Sequence, residues 1–421
     1  MNGMKSKIAI HLIMTFALLF LLISAQSVLA QTETVLYSFK GGMSDGQYPH
    51  GRLYRDSRGN LYGTTYEGGT YNGGIVFELS PSGSTWTETV LYNLGGPLNG
   101  KYPWGGLVRD SMGNFYGTTY QGGTTNYGTF FEVTPGITWT ETGLYSFTGG
   151  TDGSYPYDTS SLLLDSSGNF YGTTHAGGTG QVGTVFEIIP PVPPSTVWTK
   201  KVLHSFSGNA ADGSVPYAGV IMDSGGNLYG TTYEGGADGV GIVFELSPSG
   251  SSTWTETVLW IFGGVGDGRY PFGGLVQGLT GNLYGTTYKG GLYSEGTVFE
   301  LSPPSGGGPW TESVIHSFGG TGDGYEPYDA LVMDANGNLY GTTYGGGAHN
   351  RGIVYRLSPS GLDTWVETVL YSFKGGTSDG DYPEDGALII DRSGNLYGVT
   401  ALGGGSGCAE NGCGTVFKLV P

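Results

Sequence analysis

Short stretches in which hydrophobic and polar residues alternate recur along most of this chain, and Gly, Pro, Asp and Ser separate them. This period of two predicts β-strands. In 61–66, Tyr and Thr occupy one side of the extended segment, and Leu61, Gly63 and Thr65 occupy the other. Because both sides carry residues suited to an interior, we predict a strand packed on both faces. We expect Gly63 to leave room for an aromatic ring from the next repeat.

The same pattern recurs seven times. The pentad Gly-Asn-(Leu/Phe)-Tyr-Gly returns at intervals of 54 to 58 residues, with its Asn at Asn60, Asn114, Asn169, Asn227, Asn282, Asn338 and Asn395. Each unit contains four segments of strand character, which we name a to d. In the second unit they span 106–110, 115–119, 129–134 and 139–147. Four strands in about 55 residues are typical of a β-propeller blade, whereas a coil of a β-helix needs about half that length.

The two ends of the chain predict how the units assemble. The seventh unit has segments a, b and c at 386–391, 395–400 and 415–420. It then ends without a segment d, while an isolated d-type segment, TETVLYSF, stands at 32–39. An open array would leave unpaired sheet edges at both ends. We therefore predict an all-β protein whose residues 31–421 form one seven-bladed β-propeller, closed by the N-terminal strand pairing into the last blade.

Composition agrees with a folded β-protein. The 82 Gly and 20 Pro make long helices improbable, and they bring the chain close to the composition of disordered proteins. Aromatic residues at 13% argue against disorder, because they supply far more apolar surface for burial than a solvated chain carries.

Charge and the N-terminus indicate the compartment. A net charge of −18 excludes nucleic acid and anionic lipid as partners. Lys5 and Lys7 precede an apolar run at 8–23, and small residues at Val28 and Ala30 follow. We predict a signal peptide over 1–30, the alternative being an uncleaved anchor helix. The protein is then secreted, extracellular or at the cell surface, without membrane insertion after cleavage, and we expect a monomer.

Cys408 and Cys413 are the two cysteines of the sequence, and outside the cell we expect them to form a disulfide. A two-thiol metal or redox site is the alternative, but no further Cys or nearby His completes a ligand set. The sequence 56–60 between segments a and b predicts a turn held by the Asp56 side chain. A calcium site is the alternative there, although the loop offers one carboxylate. We therefore expect no cofactor and no metal.

Two recurring motifs resemble a known family. They are Asp-x-x-Gly-Asn-Leu-Tyr-Gly-Thr-Thr, as at 56–65, and Gly-(Ile/Thr)-Val-Phe-Glu-Leu, as at 74–79. Over 32–421 the chain resembles the GloVer tandem repeat family of secreted bacterial proteins, of the choice-of-anchor type. Relatives often carry a sorting segment after the repeats, whereas this chain stops at segment c. The resemblance implies a secreted repeat architecture and carries over no catalytic residues.

The d to a and b to c loops should share one end of a propeller, which we call the top face. The first loop carries Asp-Gly-x-Tyr-Pro, as at 45–49, and the second carries Tyr-x-Gly-Gly, as at 66–69. Aromatic rings beside carboxylates suit a sugar, whose face stacks on a ring while its hydroxyls form hydrogen bonds. The alternative is that residues repeated in every blade serve turns and contacts between blades.

Residues that break the repeat are the better candidates for a specific site. Those predicted to line the mouth of the channel and bind a ligand are His50, Trp104, Tyr157, Asp158, His175, Tyr217, Phe272, Tyr328, Asp329, Glu384 and Asp385. No nucleophile elbow, zinc-binding His-Glu-x-x-His motif or phosphate-binding loop is present in the sequence. We therefore predict a binding or scaffolding module for a glycan or a cell-surface protein. The alternatives are a polysaccharide hydrolase or lyase that uses the unrepeated carboxylates, and a surface-layer component without a ligand.

Overall fold

The computed structural model describes residues 31–159, 161–250, 253–304, 306, 308–361, 364–384, 386–405, 407–408 and 411–421. The segment predicted as a signal peptide lies outside them. The described residues form seven four-stranded antiparallel sheets, five two-stranded ribbons and one 3-10 turn at Gly150–Asp152. In this part of the chain, no helix has the length and apolar character needed to cross a membrane.

Each four-stranded sheet is one blade, and we give its strands from a, at the centre, to d, at the outside. Blade 1 consists of β2 (Gly46–Arg55), β3 (Leu61–Gly68), β4 (Ile75–Ser82) and β5 (Thr85–Asn93), and blade 2 consists of β7 (Val108–Arg109), β8 (Phe115–Thr119), β10 (Thr129–Thr134) and β11 (Thr140–Ser146). Blade 3 consists of β12 (Leu163–Leu164), β13 (Phe170–Thr174), β14 (Thr184–Ile189) and β15 (Thr199–Ser205), and blade 4 consists of β17 (Ile221–Met222), β18 (Leu228–Thr232), β20 (Ile242–Pro248) and β21 (Trp254–Ile261).

The remaining blades follow the same order. Blade 5 consists of β23 (Val276–Gln277), β24 (Leu283–Thr287), β26 (Thr297–Ser302) and β27 (Thr311–Ser317), and blade 6 consists of β29 (Val332–Met333), β30 (Leu339–Thr343), β32 (Ile353–Gly361) and β33 (Thr364–Ser372). Blade 7 consists of β35 (Ile389–Ile390), β36 (Leu396–Thr400), β38 (Thr415–Val420) and β1 (Thr32–Ser38). The ribbons pair β6 (Gly100–Lys101) with β9 (Gln121–Gly122), β16 (Gly213–Ser214) with β19 (Glu234–Gly235), β22 (Gly268–Arg269) with β25 (Lys289–Gly290), β28 (Gly324–Tyr325) with β31 (Gly345–Gly346), and β34 (Gly380–Asp381) with β37 (Leu402–Gly403).

The N-terminal strand completes blade 7. β1 pairs antiparallel with β38, so that Thr32 faces Val420 and Ser38 faces Thr415. The N–H of Phe39 continues the ladder by donating to the carbonyl of Gly414, and the Phe39 ring is fully buried. The prediction of a seven-bladed propeller closed by the N-terminal strand is therefore confirmed.

The hydrophobic core is divided into seven clusters, and each cluster lies between two neighbouring blades. In one of them, Tyr62 and Val76 of blade 1 pack with Leu107, Phe115 and Phe131 of blade 2. No blade has a separate core of its own in these clusters, so burial of apolar surface holds the ring together.

The predicted disulfide is present. Cys408 and Cys413 are bonded, with their Cα atoms 5.2 Å apart, in the b to c loop of blade 7. The N–H of Tyr48 donates to the carbonyl of Cys413, so this loop also contacts the first blade.

Two sequence predictions about the strands need correction. Strand a of the second unit is Val108–Arg109 rather than 106–110, and it forms two residue pairs with β8. A Cβ on Gly106 would lie 2.3 Å from the carbonyl oxygen of Arg52, so this stretch packs against blade 1 instead of continuing the ladder. The ribbons, in which the Gly of the d to a loop pairs with a Gly after strand b, were not predicted.

The ring beside Gly63 comes from the same blade, not from the next one. Gly63 pairs directly with Phe77 of β4, and a Cβ on Gly63 would lie 2.7 Å from the Phe77 ring. Because directly paired residues point to the same side of a sheet, the cross-strand partner takes the free space.

Candidate functional site

The carboxylate of the turn between strands a and b accepts hydrogen bonds from its own blade. Asp56 Oδ1 accepts hydrogen bonds from the N–H groups of Arg58 and Asn60 at 2.9 Å, and Oδ2 accepts from the Tyr62 hydroxyl. Equivalent turns are held by Asp110, Asp165, Asp223, Asp334 and Asp391. In blade 5, where Gly278 replaces the Asp, the Asn282 amide donates to Glu300. These contacts support the turn interpretation of this motif.

The Asp of the d to a loop also serves the fold. Asp45 is 4% exposed, and its Oδ1 accepts from the N–H of Gly46 at 2.7 Å. Its Oδ2 accepts from the N–H of Lys40 and the hydroxyl of Tyr37. The loop is thereby tied to the preceding outer strand, and this carboxylate is not available to a ligand on the top face.

The d to a loop also contains, in every blade, a non-glycine residue with a positive φ angle. The values lie between 52° and 62° for Tyr48, Tyr102, Tyr155, Val215, Tyr270, Glu326 and Tyr382. Two backbone hydrogen bonds hold this costly conformation: in blade 2, Tyr102 donates to Gly73 of blade 1 and accepts from Tyr120. The conformation therefore links each blade to its neighbour and fixes where the following side chains lie.

Two residues later, each blade contributes one side chain to a ring at the upper end of the channel, which we call the inner ring. Neighbouring ring centroids lie 4.4 to 5.1 Å apart along the series His50, Trp104, Tyr157, Tyr217, Phe272 and Tyr328. Glu384 holds this position in blade 7. The structure therefore brings together seven of the side chains that the sequence analysis selected.

Residues at the end of strand b, or directly after it, surround the inner ring. They are Tyr66, Tyr120, His175, Tyr233, Tyr288 and Tyr344, all half-buried. Tyr66 stacks on Tyr102 with centroids 5.0 Å apart, and the His175 ring lies 5.2 Å from the Tyr217 ring. We call the inner ring and these six residues the aromatic face.

The two histidines of the aromatic face are neutral at neutral pH. Burial lowers the pKa of His50 to about 4, and it lowers the pKa of His175 below its ordinary value. They therefore contribute planar rings rather than positive charge.

Two predicted ligand-binding carboxylates do not reach the aromatic face. Asp158 is 1% exposed, and its Oδ1 accepts from the N–H of Thr173 at 3.0 Å, on strand b of its own blade. Asp329 is likewise buried and accepts from the Thr342 hydroxyl at 2.6 Å. Burial raises the pKa of both carboxyls to about 7. They lie beneath the inner ring, within blades 3 and 6.

Glu384 is the carboxyl group of the inner ring. It is half-buried, and burial together with repulsion from Asp329 raises its pKa to about 7. Asp385, which was also predicted to bind a ligand, lies outside the described residues.

Sequence reasoning missed Arg52. Residues in or just before strand a of all seven blades line a central channel of about 690 Å³, with mainly aliphatic walls. Arg52 lines this space, and burial lowers the pKa of its guanidinium. An alignment of the units shows Arg52 as a break in the repeat, because Gly106, Gly219 and Gly274 hold the same position in three other blades.

Comparison with known proteins shows the family of this chain. A solved protein of unknown function from Dyadobacter fermentans is 13% identical, with a TM-score of 0.44, over 93% of this chain and 100% of that one. A Bacteroides uniformis protein, provisionally titled a 6-phosphogluconolactonase, is 14% identical, with a TM-score of 0.49, over 76% of this chain and 83% of that one. No protein of curated function matches. The profile of the Gloeobacter/Verrucomicrobia repeat matches residues 23–199, 159–308 and 306–421, so the chain belongs to that family.

Proposed function

We propose that this protein is a secreted binding module that holds a glycan on its aromatic face. The observation that carries the proposal is the unbroken series of ring contacts from His50 to Tyr328, bordered by the half-buried rings at the end of strand b or directly after it. In this proposal, residues 1–30 are the signal peptide. Residues 31–421 then act outside the cell or at its surface as a monomer.

The chemistry of the aromatic face suits a sugar. A pyranose presents an apolar face that stacks on aromatic rings, and its hydroxyls need hydrogen-bond partners at the edge of the rings. Tyr344 remains a neutral donor, since burial raises its pKa to about 12. Glu384 offers a carboxyl group beside Tyr328. A cell-surface protein is the alternative ligand, and a glycan attached to such a protein would satisfy both interpretations.

A polysaccharide hydrolase or lyase has less support. Its acid and base would both have to reach one bond. Asp158 and Asp329 are buried and hydrogen-bonded within separate blades, which leaves Glu384 as the carboxyl group of the inner ring. The binding function needs no second carboxyl group.

A glycan array and a panel of soluble polysaccharides, tested with the purified protein, provide the experiment. We expect retention on at least one glycan class. Tyr217→Ala and Tyr328→Ala should each weaken retention about tenfold, which corresponds to the loss of one aromatic contact. The control is Tyr293→Ala, since Tyr293 is a tyrosine that lies outside the aromatic face, exposed in a b to c loop.

Three results would contradict the proposal. They are no retention on any glycan, retention that both inner-ring variants leave unchanged, and release of new reducing ends. If Glu384→Gln abolished such release, the hydrolase alternative would replace the binding function.

A further inference from the structure

The boundaries between blades, which we call junctions, share one polar cluster near the outer strands. Each combines a ring from strand d of one blade, the Asp or Asn of the following loop, and a residue of strand d of the next blade. From the junction of blades 7 and 1 onwards, the sets are Tyr37, Asp45 and Glu88; Tyr92, Asn99 and Glu141; Tyr145, Asp152 and Lys200; His204, Asp212 and Glu256; Trp260, Asp267 and Glu312; His316, Asp323 and Glu367; and Tyr371, Asp379 and Glu33.

Histidine replaces the usual ring at two of the seven junctions. His204 Nε2 lies 3.3 Å from Asp212 Oδ1 and 3.9 Å from Glu256 Oε2. His316 Nε2 lies 3.1 Å from Asp323 Oδ2, and Glu367 completes the second cluster. In each cluster, one ligand atom of each residue lies within 4.8 Å of the others. One imidazole nitrogen and two carboxylate oxygens therefore converge on one point.

The spacing of these atoms fits a metal ion. In a tetrahedral zinc site with bonds of 2.0 to 2.2 Å, ligand atoms lie about 3.3 to 3.6 Å from one another. The distance of 3.3 Å from His204 Nε2 to Asp212 Oδ1 lies in this range, and the distance of 3.9 Å to Glu256 Oε2 is slightly longer. The His204 side chain is 20% exposed, so solvent can supply a fourth ligand.

Neighbouring groups orient the Asp212 carboxylate by hydrogen bonds, whereas one oxygen of each cluster's Glu accepts no hydrogen bond from the described residues. Asp212 is held by the N–H of Gly213 and by both the N–H and the hydroxyl of Ser207, as supporting hydrogen bonds hold a metal ligand. Glu256 Oε1 and Glu367 Oε1 are buried and have no hydrogen-bond partner in the described part of the chain, a feature that they share with Glu33, Glu88, Glu141 and Glu312 at the junctions without histidine. A buried carboxylate oxygen without a partner is costly, and a cation would compensate that cost.

We infer that the His204 and His316 junctions each bind one zinc ion. Two carboxylates balance the charge of the ion, and the imidazole selects zinc over calcium and magnesium, which prefer oxygen ligands throughout. The five junctions without histidine lack this nitrogen. The competing explanation is that each His replaces Tyr as a hydrogen-bond partner of the loop Asp, as Tyr37 does for Asp45.

The test is zinc binding by the purified full chain after treatment with a chelator, measured by equilibrium dialysis and by calorimetry with ZnCl₂. We expect two ions per wild-type chain, one in His204→Tyr, one in His316→Tyr and none in the double variant. Tyrosine is the residue that other junctions use, so these variants keep a side chain that the fold already accommodates. His349→Ala, which removes an exposed histidine of a b to c loop, should still bind two ions.

Thermal unfolding supplies a second measurement, because a ligand that binds the native state raises the melting temperature. Zinc should raise it in the wild type and in His349→Ala but not in the double variant. The inference is overturned if the wild type and the double variant differ by fewer than two ions, or if zinc stabilises both equally.

Discussion

At the scale of single residues, the seven blades serve as internal comparisons for one another. Glu occupies the same junction position in six blades, and in the seventh Lys200 pairs with Asp152 at 3.1 Å. At junctions without histidine, burial raises the pKa of Glu33, Glu88 and Glu141 to about 7 and that of Glu312 to about 8. These glutamates are therefore largely protonated below neutral pH, unlike ordinary surface carboxylates.

The raised pKa values predict that stability falls as pH rises. Each of these carboxyls binds its proton more tightly in the folded chain than in the unfolded chain, where the pKa is 4.5. Their contribution is complete below pH 4.5 and is lost as pH rises through 7 to 8. We expect the melting temperature to decrease steadily between about pH 5 and pH 8.5.

Glutamine variants test whether the junction glutamates cause this dependence of the melting temperature on pH. Replacing Glu33, Glu88, Glu141 and Glu312 together by Gln should flatten the dependence of melting temperature on pH. Glu234→Gln, which changes an exposed glutamate, should leave the slope unchanged. An unaltered slope in the fourfold variant would contradict the assignment to the junctions.

At the scale of elements, the bounds of strands b and c of the second unit could be predicted to the residue, whereas those of its strand a could not. The predicted 115–119 and 129–134 are β8 and β10, because their alternation runs unbroken between turns. Strand a ends after two pairs, since contact with the preceding blade at Gly106 competes with its own ladder. That contact depends on the neighbouring blade, and local alternation carries no information about it.

The pairing of Gly in strand b with an aromatic residue in strand c predicts a sensitive position. A Cβ on Gly230 would lie 2.6 Å from the Phe244 ring, so Gly230→Ala should cost about 1 to 3 kcal/mol through overpacking. Gly143, in the exposed outer strand β11, has nothing within 4 Å of such a Cβ. Gly143→Ala should therefore be neutral or stabilise by up to about 1 kcal/mol. Thermal unfolding of both variants checks this, and equal effects would refute it.

At the scale of the whole molecule, ring closure places the candidate site. The sequence could predict which residues gather at the inner ring, since one residue per blade follows each loop Pro. It could not predict that Asp158 and Asp329 turn away, because that depends on hydrogen bonds to Thr173 and Thr342. Arg52 lies on strand a, so the loop motifs carry no information about it.

The sharing of blade 7 between the two ends of the chain is the central claim, because the common top face and all seven junctions depend on it. Thr32 and Val420 form an exposed facing pair of β1 and β38, so their Cβ atoms should lie about 4.5 to 5.5 Å apart. The most direct measurement is disulfide formation in Thr32→Cys/Val420→Cys under mild oxidation, read by peptide mass mapping.

The matched control is Thr255→Cys/Val420→Cys, because Thr255 holds the position of Thr32 in blade 4. We expect a disulfide between positions 32 and 420 in the first variant and none in the control. Free thiols at both positions of the first variant, under conditions that leave Cys408 and Cys413 bonded, would contradict closure of the ring.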